Sequence, residues 1–343
     1  MSARVVLNAA ALFADGSGVQ TYVQELLAGI ARVGAEPWSI EAIVDRGAVD
    51  LLPTPIVARP TRANSGLWRK IQSARPVAAD VVHGLDVDIP WMSRGAHRVA
   101  TVHDLAQFDT PWAFGASASI KRRLTAYACR NADTLVAVSG FTAERIRHHF
   151  GRDSVVVHEA PRPGFVPPSA SDVARVRVAY GLPEHWVLHV GNLEPRKDVP
   201  VLAAACRNAA IPLVLAGGAV ATVAVPEGVR SIGYVPDADL PALFAAATVV
   251  AYVSRYEGFG LPPIEALACG AVVMATSTGA LGEVAADAIE FVKIGDVDDQ
   301  AHRLRELAAD PERRAALAGR GVAAVSHLSW DRAAIETMNV WAR

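Results

Sequence analysis

The sequence predicts an α/β protein of two doubly wound, Rossmann-like domains facing each other across a cleft. Three observations carry this prediction. The chain of 343 residues exceeds what one hydrophobic core usually supports. Short β-branched runs alternate with segments of helical spacing in both halves, the rhythm of parallel βαβ units. Between the halves lies Pro161-Arg162-Pro163-Gly164-Phe165-Val166-Pro167-Pro168, whose prolines deny backbone donors and discourage helix and strand alike.

In the first half, strands are expected at Arg4 to Leu7, Ile40 to Val44, Val99 to Val102 and Leu135 to Val138, with a helix over Gly18 to Val33. The second half restarts the alternation, with strands expected at Trp186 to Val190, Pro212 to Leu215, Val249 to Val253, Val272 to Ala275 and Ile289 to Val292. Near-continuous apolar strands suit sheets covered by helices on both faces, and ligands of such sheets lie beyond the carboxyl ends of the strands. After Asp310-Pro311 a helical pattern runs through Arg320 and past Trp330 with little turn chemistry to divide it. The expected organisation is a first domain at 1–165, a second at 166–326, and a last helix at about 327–343 crossing back to the first.

Apolar residues make up 52% and charged residues 20% of the chain, a globular composition. The longest apolar runs, such as Thr248 to Val253, fall far short of the roughly 20 residues of a membrane span. The N-terminus lacks the apolar core and cleavage site of a secretory leader, so a cytoplasmic location is expected. A net charge of −2 carries no basic footprint of nucleic-acid binding. The part up to Arg162 is nonetheless mildly basic, and Lys121-Arg122-Arg123 with Arg130 reads either as a solvated helix face or as a peripheral contact for an anionic membrane. Cys129, Cys206 and Cys269 are widely spaced and read as buried small hydrophobes. The high Ala, Arg and Val usage suits a bacterial source.

The richest chemistry lies in Ser254-Arg255-Tyr256-Glu257-Gly258-Phe259-Gly260-Leu261-Pro262-Pro263-Ile264-Glu265, which reads as strand, loop, then helix. The proline pair fits a first helical turn, so Gly258, Phe259, Gly260 and Leu261 would present backbone N–H groups at a helix N-terminus, where anions and hydroxyls bind. Glu257 and Glu265 bracket this turn, and ionised carboxylates on rigid elements accept paired hydrogen bonds from sugar hydroxyls. A turn acid plus a surface acid is the plainer reading of the same pair. Gly16-Ser17-Gly18 follows a strand and opens a helix, which suits either close approach of a phosphate or an ordinary turn. His103 follows the strand ending at Val102, where its imidazole could meet a sugar or serve structure. The pattern Asp-x-Asp occurs at Asp86, Asp237 and Asp296, each explained by turns and caps, so no metal ligand is assigned.

Taken together, Val190-Gly191-Asn192-Leu193-Glu194-Pro195-Arg196-Lys197, Gly233-Tyr234-Val235-Pro236-Asp237, the two glutamates separated by seven residues and Thr278-Gly279-Ala280-Leu281-Gly282-Glu283-Val284 closely resemble the nucleotide-binding half of retaining glycosyltransferases of family four, with the GT-B fold. Val102-His103-Asp104-Leu105 and Ala137-Val138-Ser139-Gly140-Phe141 extend the resemblance into the first half. The resemblance implies that Glu257 and His103 act at the transferred hexose and that Glu265 binds the ribose hydroxyls. It further implies that Arg196 and Lys197 hold the diphosphate, where fixed cations stabilise a leaving group without metal. Tyr234 and Val235 would meet the nucleobase through backbone groups, and Gly16, Ser17 and Gly18 would close over the diphosphate. No cofactor is implied, because the nucleotide sugar is a co-substrate.

The activity implied is transfer of a hexose from a GDP-, UDP- or dTDP-sugar to a glycan, lipid-linked or natural-product hydroxyl with retained configuration. A nucleotide-sugar epimerase and a non-catalytic sugar-nucleotide binder are the competing readings. Three positions depart from the family pattern: Asn192 where arginine is frequent, Gly282 where proline is frequent, and His158-Glu159-Ala160 in place of Asn-Gly-Val.

Overall fold

The computed structural model describes residues 3–13, 18–61, 76–115, 118–218 and 225–342. The chain divides into two compact units: Met1–Phe108, Phe114–Glu159 and Leu328–Arg343 form unit 1, and Asp109–Ala113 with Ala160–His327 form unit 2.

Unit 1 holds β1 (Ala3–Asn8), β2 (Trp38–Asp45), β3 (Val57–Thr61), β4 (Val81–Gly84), β5 (His97–Val102), β6 (Thr134–Ala137) and β7 (Val155–Val156), in the order β3-β2-β1-β4-β5-β6-β7. Every pairing is parallel. The chain winds outward from β1 to β3, then from β4 to β7, so the winding reverses between β1 and β4, where doubly wound sheets place their ligands. Helix α1 (Gly18–Val33) buries Tyr22, Val23, Leu26, Leu27 and Ile30, a stripe at helical spacing. Helix α2 (Ala118–Asn131) contributes Ala128 and Cys129 to the core, and α3 (Gly140–Phe150) buries Ile146. The α3 N-terminus is capped by Ser139, whose Oγ accepts from the Thr142 amide at 3.0 Å.

Unit 2 repeats the plan with α4 (Ala170–Ala179), β8 (Val187–Val190), α5 (Val199–Ala209), β9 (Leu213–Ala216), β10 (Arg230–Gly233), α6 (Leu240–Ala246), β11 (Val249–Tyr252), α7 (Leu261–Ala268), β12 (Val273–Ala275), β13 (Ile289–Phe291), α8 (Val297–Ala309) and α9 (Pro311–Val325). Its six parallel strands run β10-β9-β8-β11-β12-β13, with the reversal between β8 and β11. Val187, Leu202, Val249, Ala251, Met274 and Leu304 meet in its core, fully buried or nearly so. The expected strands are present with ends shifted by one or two residues. Four further strands, β3, β4, β7 and β10, carry weak signals: β3 and β10 are exposed edges, β3 contains Pro60, β7 is two residues long, and β4 hides a histidine in a short run.

The long C-terminal helical pattern is also interrupted. Helix α9 ends at Val325, and Ser329 caps a separate helix, α10 (Trp330–Trp341), accepting from the Arg332 amide at 3.2 Å. Helix α10 lies on α1 in unit 1. A Cβ on Gly29 would come within 2.5 Å of the Trp330 carbonyl oxygen, and Arg32 pairs with Asp331 at 2.7 Å. No helix among the described residues is long and apolar enough to cross a membrane.

A buried polar chain fastens α10 to the sheet. The Trp341 indole can only donate, and it reaches His83 Nδ1 at 3.1 Å. His83 Nε2 must therefore carry the ring proton, which it donates to Thr101 Oγ1 at 3.0 Å, and Thr101 shares a 3.2 Å hydrogen bond with the Tyr22 hydroxyl. Burial pushes the His83 pKa down from 6.5 to about 3. Between these values the unfolded chain binds a proton that the folded chain refuses, so stability falls as pH drops, by at most about 1.4 kcal/mol per pH unit. His189, buried in unit 2 and lowered to about 4, adds to the same slope. The substitution His83→Gln keeps a donor and an acceptor without titrating. Urea midpoints measured from pH 7 to pH 4 should fall less steeply in that variant than in the wild type.

Candidate active site

The switch point of unit 2 sets two loops side by side. The loop after β8 runs from Gly191 to Lys197 and that after β11 from Val253 to Gly260. The Arg255 amide donates to the Arg196 carbonyl at 2.7 Å, joining the loops through their backbones. The Tyr252 hydroxyl donates to the Val190 carbonyl at 2.7 Å and ties the two strand ends.

This joint brings Arg196, Lys197 and Glu257 together. Arg196 Nη1 donates to Glu257 Oε2 at 2.7 Å and to the Tyr256 carbonyl at 2.9 Å, and its Nε donates to Glu194 at 2.7 Å. The other carboxylate oxygen, Glu257 Oε1, accepts from Ser254 at 2.8 Å. Burial by itself would raise the Glu257 pKa, but Arg196, Lys197 and the two hydrogen bonds outweigh it and hold the carboxyl below the usual range.

Lys197 is 8% exposed, and its ammonium makes no hydrogen bond or ion pair among the described residues. Burial pushes its pKa down, Arg196 pushes the same way, and Glu257 and Glu194 act against them. Glycine makes room for it: Gly191 has φ 133°, and a Cβ there would lie 2.5 Å from Lys197 Nζ. Gly217, with φ 134°, is pressed so closely to Gly191 that its Cβ would meet the Gly191 carbonyl oxygen at 2.5 Å. Asn192, the departure from the family pattern, directs its amide oxygen toward Gly218, 3.1 Å from where a Cβ would stand.

Helix α7 starts where the prolines place it. Gly260 is its N-cap with φ 95°, and the amides of Gly260 and Leu261 have no hydrogen-bond partner among the described residues. Gly258 and Phe259 are buried in the preceding turn, and the Phe259 carbonyl accepts from the Ala280 amide at 2.9 Å. Tyr234 is 78% exposed and Val235 is buried, and neither uses its main-chain groups in a hydrogen bond among the described residues.

Glu265 lies inside α7, 2% exposed, and both its oxygens accept from Arg162 of the proline-rich segment between the two halves. Arg162 Nε donates to Oε1 at 2.6 Å and Nη2 to Oε2 at 3.0 Å, a fork-to-fork pair. Arg162 Nη1 also reaches Asp237 at 2.7 Å, and the guanidinium lies 4.4 Å from the Phe165 ring centroid. Burial raises the Glu265 pKa, with Arg162 acting against it. The only sequence signal for Arg162 is a cation among prolines, where no periodicity points to a partner 103 positions away.

The remaining assigned residues belong to unit 1. Gly18 opens α1, and a Cβ there would meet nothing within 4 Å among the described residues. Gly16 and Ser17 lie outside the described residues. His103 is held by protein groups at both ring nitrogens: Nε2 is 2.9 Å from the Leu85 carbonyl and Nδ1 is 3.3 Å from Glu159 Oε1. Among the described residues no group of three or more His, Cys, Asp or Glu side chains could hold a metal ion. Asp239 instead binds Arg175 and Tyr180, and Asp296 caps α8.

Removing one partner of a buried ion pair leaves the other charge uncompensated, a loss of about 3–5 kcal/mol. Arg162→Ala should therefore destabilise the protein by about that amount in urea unfolding at neutral pH, and the added substitution Glu265→Gln should recover part of the loss. Gly217→Ala should also be severely destabilising, because both its φ and its contact with Gly191 forbid a side chain.

Comparison with known proteins shows the family of the chain. The model of glycosyl transferases group 1 matches residues 176–322, and that of glycosyltransferase family 4 matches residues 16–161. The O-antigen chain mannosyltransferase B of Escherichia coli is 31% identical over 76% of this chain and 74% of its own length. Sucrose-phosphate synthase from Thermosynechococcus elongatus superposes with TM-score 0.78 at 21% identity, covering 99% of this chain and 98% of its own. HepE from Anabaena, solved in complex with UDP and glucose, superposes with TM-score 0.75 at 16% identity over the whole of both chains. Two Rossmann-like units, the paired glutamates and these matches identify the chain as a glycosyltransferase of family 4, with the GT-B fold.

Proposed function

We propose that the protein transfers a hexose from a nucleoside-diphosphate sugar to a hydroxyl of a glycan, lipid-linked or natural-product acceptor, with retained configuration and without a metal ion. One observation carries the donor half of this reading: the Lys197 side chain is largely buried beside Arg196, and its ammonium has no ion pair of its own among the described residues. Burying an ammonium is costly unless an anion answers it, and a diphosphate is the anion that departs in this reaction. The amides of Gly260 and Leu261 at the start of α7 add donors suited to the same phosphates or to sugar hydroxyls.

In this reading Glu257, ionised and locked by Arg196 and Ser254, positions the transferred hexose. Glu265 accepts from the ribose on the lone pairs that Arg162 leaves, and the main-chain groups of Tyr234 and Val235 meet the base. Gly16, Ser17 and Gly18 approach the diphosphate, and His103 serves the transferred sugar. The acceptor hydroxyl attacks on the face from which the diphosphate leaves, and the departing phosphate takes its proton. The mannosyltransferase relative and the UDP complex of HepE both favour a hexose carried on a nucleotide. The cationic run of α2, flanked by Ile120 and Tyr127 at 54% and 49% exposure, suits peripheral contact with an anionic membrane.

Thermal stabilisation by GDP, UDP and dTDP and their sugars tests this reading. One nucleotide family should raise Tm in the presence of chelator, since ligand at about 100 times its Kd adds about 2.7 kcal/mol. Lys197→Ala should lose most of that shift, while its ligand-free Tm changes little, because the variant sheds both the cost of burying the ammonium and its attraction to Glu257. Stabilisation that requires a divalent metal, or that survives Lys197→Ala intact, would refute the assignment.

A further inference from the structure

Glu159 stands where the chain departs from the usual Asn-Gly-Val stretch, and in unit 1 it is buried at 5% exposure against His103. Proton counting gives that contact its meaning. The Leu85 carbonyl only accepts, so His103 Nε2, 2.9 Å away, carries a proton. A neutral ring would then turn the lone pair of Nδ1 toward Glu159 Oε1 at 3.3 Å, setting two acceptors face to face. The contact is favourable only if one more proton lies between Nδ1 and the carboxylate.

We propose that Glu159 is a positioning residue that keeps His103 protonated on both ring nitrogens at neutral pH, making the ring a fixed cation beyond the end of β5. Its consequence for the reaction rests on the assignment of His103 to the transferred sugar. The charges acting on the ring are the carboxylates of Glu159 and Asp86. Helix α1 contributes the Tyr22 ring, edge-on at 4.5 Å, and α3 contributes the Thr142 hydroxyl to the His103 carbonyl at 3.5 Å. Burial opposes the charge, but the hydrogen bond and charge of Glu159, with Asp86 and Leu85, overcome it and raise the His103 pKa above 6.5. The charged form is therefore complete at low pH and is lost as pH rises through that higher value. Transfer should weaken on the same alkaline limb.

Histidine-selective 15N NMR against pH reads the ring without reference to activity, with the His103 signal assigned through His103→Gln. Glu159→Gln, whose amide can donate to a neutral Nδ1, should lower the His103 midpoint by about 1 pH unit or more, and Glu159→Asp should retain most of the wild-type value. The alkaline limb of the donor-turnover profile should move down by the same amount in Glu159→Gln, with the donor KM unchanged. A midpoint indifferent to Glu159→Gln overturns the proton-holding pair. If Glu159→Gln does not fold, an ordinary or lowered His103 midpoint in the wild type overturns it equally. A midpoint that moves while the alkaline limb stays fixed overturns the positioning role. Failure of the nucleotide-sugar reading looks different: no nucleotide sugar turns over or binds at any pH, whatever the NMR shows, and the catalytic consequence of the pair falls with it.

Discussion

Parallel pairing of β8 with β11 sets two loops side by side, and the hydrogen bond from the Arg255 amide to the Arg196 carbonyl joins them before any side chain is counted. The chemistry of unit 2 depends on this joint. It brings a guanidinium from one loop to a carboxylate on the other, and in that desolvated place the attraction holds Glu257 ionised against its own burial. Two close-packed glycines, Gly191 and Gly217, then let the neighbouring ammonium lie over the backbone where any side chain would exclude it.

The second carboxylate is held by different means. Glu265 is rigid because it is on a helix, buried, and forked by Arg162, which is fixed in turn by Asp237 and the Phe165 ring. One glutamate is thus supported within the loop pair, the other by the segment that enters unit 2. The arrangement concentrates electrostatic energy in a few buried pairs, which are individually expensive to break and contribute more to orientation than to net stability.

Unit 1 shows the same dependence of polar groups on distant sequence. In the chain from Trp341 through His83 and Thr101 to Tyr22, the single fact that an indole donates fixes the His83 tautomer and makes Thr101 an acceptor from it. The substitution of Glu159 for glycine in the family pattern, unexplained as sequence, becomes the partner of His103 once the chain is folded.

The family resemblance of the motifs implied a common chemistry for Arg196, Lys197 and the two glutamates, while residue type and spacing alone determined the alternation of strands and helices and the start of α7 at its prolines. These are local properties: β-branched runs, helical periodicity and proline's missing donor act over a few residues. The tertiary structure decided which groups meet. Arg162 reaches Glu265 from 103 positions away, Glu159 reaches His103 from 56, and the weak strands β4 and β10 form because their neighbours supply the ladder. No periodicity encodes such contacts, since a charge in a linker and a charge in a site have the same sequence neighbours and differ only in what folding buries against them.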